Sequence, residues 1–350
     1  MSNTTMRGAV FTQHGGVENL TLVDDLPIPE PQYGQVRVKI KAVALNRLDL
    51  WVREGWKGLN LTMPHIVCAD GAGIVDALGE GVTGFEVGDA VAINPALLPD
   101  NSPALLTGLE NQSRDLHILG EGVAGVASEY TVLPARNLHK MPANYPFESA
   151  AGAGLVYVTA WHSLMTRGGL RAGESVLIVG AGGGVNSASI QIAKLAGATV
   201  YVVGSDAEKC AQAEQLGADV TINRGDDPNW AKAVYKLTDK RGVDIVIDNV
   251  GQATLPDSIR STRVGGRILI VGNTSGFDAK IDIRQIFTRQ ISIIGSTMGP
   301  HQDYVKVMDL VFAGKLKPVI GAVLPLADIQ KAHQMLEQFA VFGKIVLTVD

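Results

Sequence analysis

SVLIVGAGGGVNSASIQIAK, residues 175–194, is an apolar run that ends in a glycine-rich turn and reopens as a helix carrying Val185, Ala188, Ile192 and Leu195 at helical spacing. A strand that stops at such a turn presents backbone N–H groups and a helix N-terminus to an anion. The glycines let a pyrophosphate approach the chain. Gly182, Gly183, Gly184 and Val185 are therefore candidate contacts to a dinucleotide phosphate. Outward from this stretch, the apolar runs Thr199–Val203, Asp244–Ile247, Arg267–Val271 and Ile291–Ile294 read as strands. Amphipathic helices are expected at 185–196, 206–216, 228–238 and 252–263. Strand and helix alternating at this spacing predict a doubly wound parallel sheet with right-handed crossovers.

Upstream, Gly8-Ala-Val-Phe, Leu20-Thr-Leu-Val and the 36–43 run, then 71–79, 87–93 and 128–133, alternate in the manner of half-buried strands with glycine and proline between them. They predict a small all-β, barrel-like domain. Downstream, helices near 301–313 and 327–339 flank Val319–Val323, and a terminal strand Lys344–Val349 is expected to return to the β domain. The division predicted is 1–152 with 298–350, a discontinuous β domain, and 153–297, the dinucleotide-binding domain.

The chain has 350 residues, 46% hydrophobic and 19% charged, enough apolar content for two packed cores. A net charge of −5 without a basic stripe argues against nucleic acid, and two cysteines, Cys68 and Cys210, are too few for a disulfide framework or a four-cysteine zinc site. The start, Met1 to Met6, lacks the pattern of an export leader, and no run is long enough to span a bilayer. The expectation is a soluble cytoplasmic protein.

Which dinucleotide binds is read at the end of the second strand, where NAD enzymes place an acid. Gly204 stands there, leaving room for a 2′-phosphate that Ser205, Lys209 and Arg224 could hold, which points to NADPH. The alternative stays open: Ser205 or Asp206 caps the next helix, Lys209 and Arg224 are solvated, and Asp206 holds a ribose diol of NADH.

With Gly79-Glu-Gly-Val-Thr-Gly-Phe-Glu-Val-Gly-Asp-Ala-Val, Ala127-Ser-Glu-Tyr-Thr-Val, Thr159-Ala-Trp, Asp248-Asn-Val-Gly and Gly343-Lys-Ile-Val around the glycine turn, residues 7–349 resemble the medium-chain dehydrogenase/reductase superfamily. The resemblance implies a GroES-like β-barrel catalytic domain, a Rossmann domain, an active site in the cleft between them, and a homodimer or homotetramer formed through the Rossmann sheet. It also implies Thr159, Asn249, Val250, Gly272, Asn273, Thr274 and Thr297 at the nicotinamide end, with Lys344 near a phosphate.

The departures bear on chemistry. Where zinc alcohol dehydrogenases of this superfamily carry a cysteine, a histidine and a third ligand, this chain has Asn46, Ala69 and, near the third position, Leu155. Three protein donors are needed for a catalytic zinc, so none is expected, with Cys68 packed and Asp70 paired to a cation such as Lys344. The segment 94–120 keeps the length of the structural zinc lobe without its cysteines, the positions falling at Pro99, Ser102, Leu105 and Ser113. Leu97, Leu98, Leu105 and Leu106 are expected to hold it, or it is mobile. Asn186 replaces the last glycine of the turn.

Asn46-Arg-Leu-Asp49-Leu-Trp51 matches the Asn-x-x-Asp-x-Tyr motif of the zinc-free branch, similar to quinone oxidoreductases and enone reductases, with Trp in place of Tyr. The resemblance implies an NADPH-dependent reductase of quinones or α,β-unsaturated carbonyls. Asn46, Asp49, Trp51 and Tyr157 are its catalytic candidates, and Asn46 also lies beside the nicotinamide. Alternatives are an enoyl-thioester reductase of acryloyl- or crotonyl-CoA type with Arg47, Arg53 and Lys57 at its entrance, an alcohol dehydrogenase-like enzyme, and an NADPH-binding protein with little turnover. His65, His162 and His301 read as structural.

Overall fold

The computed structural model describes residues 4–350, so the first half of the segment read for a leader, residues 1–3, lies outside the described residues. The chain divides into two units, Met1–Leu155 with Pro300–Asp350, and Val156–Gly299. The boundaries fall two to three residues beyond those expected.

In the first unit the strand Gln35–Ala44 is the organiser, because it is long enough to pair with three partners. It runs antiparallel to Asp70–Leu78, to Tyr130–Pro134 and to the terminal strand Lys344–Thr348. The terminal strand also pairs in parallel with Ile320–Pro325, closing the discontinuous unit as expected. Residues of the 35–44 strand alternate between half-buried and buried as far as Ala42, and Val43 and Ala44 are then both buried. Val36, Val38, Ile40 and Val43 share one apolar core with Phe11, Val91, Ile93, Ile345 and Leu347.

The second unit is a parallel sheet of six strands among the described residues. Ser175–Val179 and Val243–Asp248 lie at its centre. Thr199–Gly204 and Val220–Asn223 extend one side, Thr262–Ile270 and Ser292–Gly295 the other. Numbered along the chain, the order is 3-2-1-4-5-6, which places a topological switch point beside the glycine turn. Val243–Asp248 is buried at every position, as a strand covered on both faces must be.

Several elements differ from the expectation, and three of them matter here. The strand Val220–Asn223 is a short, half-buried edge without an apolar run, and the helix Ile283–Arg289 buries no residue fully. The third, Arg47–Glu54, was read only as a motif. The segment 94–120 corrects an expectation. Leu106 is 92% exposed and holds nothing, while Leu98 alone of the four leucines is fully buried. Polar bonds anchor the segment instead. Asn137 Nδ2 donates to the carbonyls of Asn94 (3.0 Å) and Ala96 (2.7 Å), and Arg136 Nη2 to that of Leu98 (2.6 Å).

Candidate active site

The Asn-x-x-Asp spacing is first of all a helix start. Asn46 is the N-cap of the helix Arg47–Glu54 and Asp49 its third residue, and Asp49 Oδ2 accepts the Asn46 N–H at 2.6 Å. This is the reciprocal arm of a capping box, the signal that could have revealed the helix. The Asp49 carboxyl is buried, and desolvation pushes it up to about 7, although the Asn46 N–H and the Lys344 charge pull it down. It thus titrates in the neutral range.

The Asn46 side chain is committed elsewhere. Its Nδ2 donates to Asp70 Oδ2 at 2.9 Å, and its Oδ1 accepts from Lys344 Nζ at 2.6 Å. Lys344 also reaches Asp70 Oδ2 at 3.1 Å, with both partners buried. The other Asp70 oxygen accepts the backbone N–H of Leu155 at 2.7 Å. That donor exists because the helix Phe147–Trp161 breaks at Gly154, where an added Cβ would lie 2.2 Å from Asp70 Oδ1. The three stretches that the resemblance aligns with zinc ligands, at Asn46, at 68–70 and near Leu155, therefore meet here. What they bring together is an amide, a carboxylate, a peptide N–H and an ammonium.

These groups do not fit a zinc ion. Ala69 offers no side-chain donor, and the ammonium of Lys344 already neutralises the buried acid. Among the described residues no three His, Cys, Asp or Glu side chains gather as a metal's ligand set. The placement of Lys344 near a phosphate is corrected as well, since it is 4% exposed and tied to Asn46 and Asp70. Arg53, read as an entrance cation, is buried against Glu337 and the Gly15 carbonyl. Trp51 is 37% exposed on its helix. Tyr304, not singled out by sequence, is buried with its hydroxyl unpartnered, and burial together with the nearby Asp70 charge pushes its pKa well up.

The dinucleotide candidates group in the second unit. Gly183 is the N-cap of the helix Gly184–Leu195, no side chain caps that end, and Gly182 to Val185 are partly or fully exposed. The first N–H groups of the helix are thus left to a phosphate, and the residues fit a dinucleotide. At the end of the second strand Gly204 has a packing reason, because an added Cβ would lie 2.5 Å from Cys210 Sγ. Asp206 caps the following helix, accepting the Lys209 N–H at 2.8 Å and the Ser205 hydroxyl at 2.7 Å. The Lys209 ammonium lies 3.6 Å from the same carboxylate, while Arg224 is exposed.

Beyond the fourth strand, Asp248 accepts from the N–H of Val250 and Gly251 and from the hydroxyls of Thr254 and Ser258, which fixes the loop that begins at Asn249. Thr274 N donates to the Asn249 carbonyl at 3.3 Å. Gly272 also packs here, an added Cβ lying 2.9 Å from that oxygen, and Asn273 is exposed. Thr159 is buried, with its hydroxyl 3.9 Å from Met298 Sδ, and Thr297 follows the last strand of the sheet by two residues. Tyr157 is displaced from its expected role. It is buried, and its hydroxyl accepts from Gln191 Nε2 at 3.0 Å, the geometry of a packed aromatic on the adjoining helix.

The comparisons with known proteins agree with this architecture. Residues 32–143 match the family described as alcohol dehydrogenase GroES-like domain, and residues 184–313 match zinc-binding dehydrogenase. A zinc-type alcohol dehydrogenase-like protein of Schizosaccharomyces pombe is 34% identical over 91% of each chain. Human quinone oxidoreductase is 28% identical over 98% of this chain and 97% of its own. A solved structure titled NAD-dependent alcohol dehydrogenase superposes with a TM-score of 0.95 at 44% identity, covering 99% of this chain and all of the other. The chain belongs to the medium-chain dehydrogenase/reductase family. It is an oxidoreductase that works with a nicotinamide cofactor.

Proposed function

We propose that the chain is a zinc-independent reductase that passes hydride from NADPH to a quinone or an α,β-unsaturated carbonyl. The observation that carries the reading is Lys344 Nζ bonded to both Asn46 and Asp70, an internal ammonium among the stretches where a dehydrogenase would hold its metal. Bound NADPH supplies the hydride. This chain's own residues supply a preorganised polar site. Lys344 and Asp70 lock the Asn46 amide in one orientation, so that the second N–H of its Nδ2 meets the acceptor oxygen where negative charge gathers. Lys344 also polarises that amide, making it a better donor. The exposed face of Trp51 stacks on a flat acceptor, and the proton at the neighbouring carbon comes from water.

NADPH is proposed from the absence of an acid at Gly204 and the exposed Arg224. Asp206 favours a second reading, an NADH-dependent alcohol dehydrogenase-like enzyme, because its carboxylate draws in both Ser205 and Lys209. The similarity to the solved NAD-dependent alcohol dehydrogenase adds to it. The partner proposed is a second copy of this chain, forming a homodimer or a homotetramer through the edge strand Ser292–Gly295. Ile293 there is 39% exposed, and Phe287 nearby is 65% exposed.

The test is oxidation of NADPH and NADH with 1,4-naphthoquinone, an alkyl enone, crotonyl-CoA and a simple alkanol–NAD(P)+ pair, with metal content measured on the same sample. Reduction of a conjugated acceptor by metal-free protein is expected. A stoichiometric divalent ion that is essential for alkanol oxidation would refute the proposal. Sedimentation of the same sample reads the oligomer.

A further inference from the structure

Asn186 occupies the position where the glycine turn is expected to end in glycine, and it is 4% exposed on the first turn of the helix Gly184–Leu195. Its Nδ2 donates to the Val179 carbonyl at 3.3 Å, and its Oδ1 accepts from Asn249 Nδ2 at 3.0 Å. Val179 and Asp248 are the last paired residues of the two central strands. The Asn186 amide therefore spans the strand ends one step past the ladder, adding a side-chain rung at the topological switch point. Gly180 makes room for it. The residue has a φ of +99°, and an added Cβ would lie 2.7 Å from Asn186 Nδ2. Main-chain bonds hold the 249–251 loop through Asp248 and Thr274, but the Asn249 side chain is held by Asn186.

We infer that Asn186 is a positioning residue that ties the phosphate-binding turn to the nicotinamide-side loop through Asn249. The inference rests on the nicotinamide-cofactor reading and is independent of the acceptor. A glycine at 186 would bind phosphate with the same backbone but leave Asn249 free to swing. The contribution thus falls on the nicotinamide half of the ligand, where one hydrogen bond is worth about fivefold in affinity.

Dissociation constants distinguish the cases when measured for NADPH and NADH and for 2′-phospho-ADP-ribose and ADP-ribose, which lack the nicotinamide. The proteins compared are wild type, Asn186→Gly, Asn249→Ala and the double variant. Each single variant is expected to lose about fivefold for the whole dinucleotide and less than about twofold for the fragment. The double variant is expected to be no worse than either single one. Equal losses for dinucleotide and fragment, additive losses in the double variant, or no loss at all would overturn the inference. Fragment binding reports that the turn is folded. Failure of wild type to bind either dinucleotide would instead overturn the cofactor reading itself.

Discussion

Lys344→Met leaves Asp70 with the Asn46 amide and the Leu155 N–H but without its counter-ion. At 3.1 Å the attraction between the two charges is about 5 kcal/mol for an effective dielectric of ~20. The structure cannot lose all of that. The stranded carboxylate keeps two donors, the Asn46 amide and the Leu155 N–H, which offset part of the loss. The expected destabilisation is therefore ~3–4 kcal/mol, within the range for a buried pair that loses one partner. Lys344→Met/Asp70→Asn removes both charges, and it should recover to within about 1.5 kcal/mol of wild type because desolvation of two ions is relieved as well. Hydrogen exchange of peptides from 300–350 and from 200–250 reads the two units separately, which a single melting curve would blur. A Lys344→Met loss under about 1 kcal/mol, or a double variant as unstable as the sum of its parts, would show that the ammonium is not the partner of Asp70.

Asp49 gives a pH dependence of definite sign. Its native pKa of about 7 lies above the ordinary 3.8, so the folded state binds the extra proton and stability falls as pH rises from about 4 to about 7. At about 1.4 kcal/mol per pKa unit this amounts to roughly 4 kcal/mol, and Asp49→Asn should flatten the slope in denaturation curves taken at pH 5, 6, 7 and 8. An unchanged slope would remove Asp49 as its source. Gly154→Ala and Gly152→Ala form a contrast within one helix. The first drives a Cβ to 2.2 Å from Asp70 Oδ1, while the second meets only the flexible end of Ile320 at 2.5 Å. Urea denaturation should show a loss above about 2 kcal/mol for the first and under about 1 kcal/mol for the second, and equal losses would contradict the assigned geometry.

Much of the fold was legible because its signals are local. The run 175–194 carries strand, turn and helix within twenty residues, and its alternation with later strands fixed the parallel sheet. Val220–Asn223 escaped because an edge strand is covered on too little of its surface to need an apolar run. The helix Arg47–Glu54 escaped for a different reason. Asn46 and Asp49 serve at once as motif residues and as N-cap and N3, and the helix they open is only eight residues long. The site itself was half legible. Asn46 and Asp49 come from one motif, but Lys344 is 298 residues away from Asn46 and reaches it only through pairing of the terminal strand with Gln35–Ala44. Of the two readings open for 204–209, the structure shows the helix cap at Asp206, whose carboxylate also takes the Ser205 hydroxyl and lies beside the Lys209 ammonium.

The proposed zinc-independent reading, with an ammonium where a metal would sit, constrains which acceptors the site can serve. A catalytic zinc works through an open coordination position, binding an alcohol oxygen and lowering its pKa. Lys344 lends positive charge to the same neighbourhood but cannot open a coordination position. Two of its three N–H bonds are already taken, by Asn46 Oδ1 and Asp70 Oδ2. Its charge reaches an acceptor only through the Asn46 amide, whose remaining N–H is a neutral donor worth a few kcal/mol at most. Such a donor suffices where the incoming hydride's charge spreads over a conjugated system. It falls short where a localised alkoxide must form, so the proposal requires an acceptor that carries its own delocalisation.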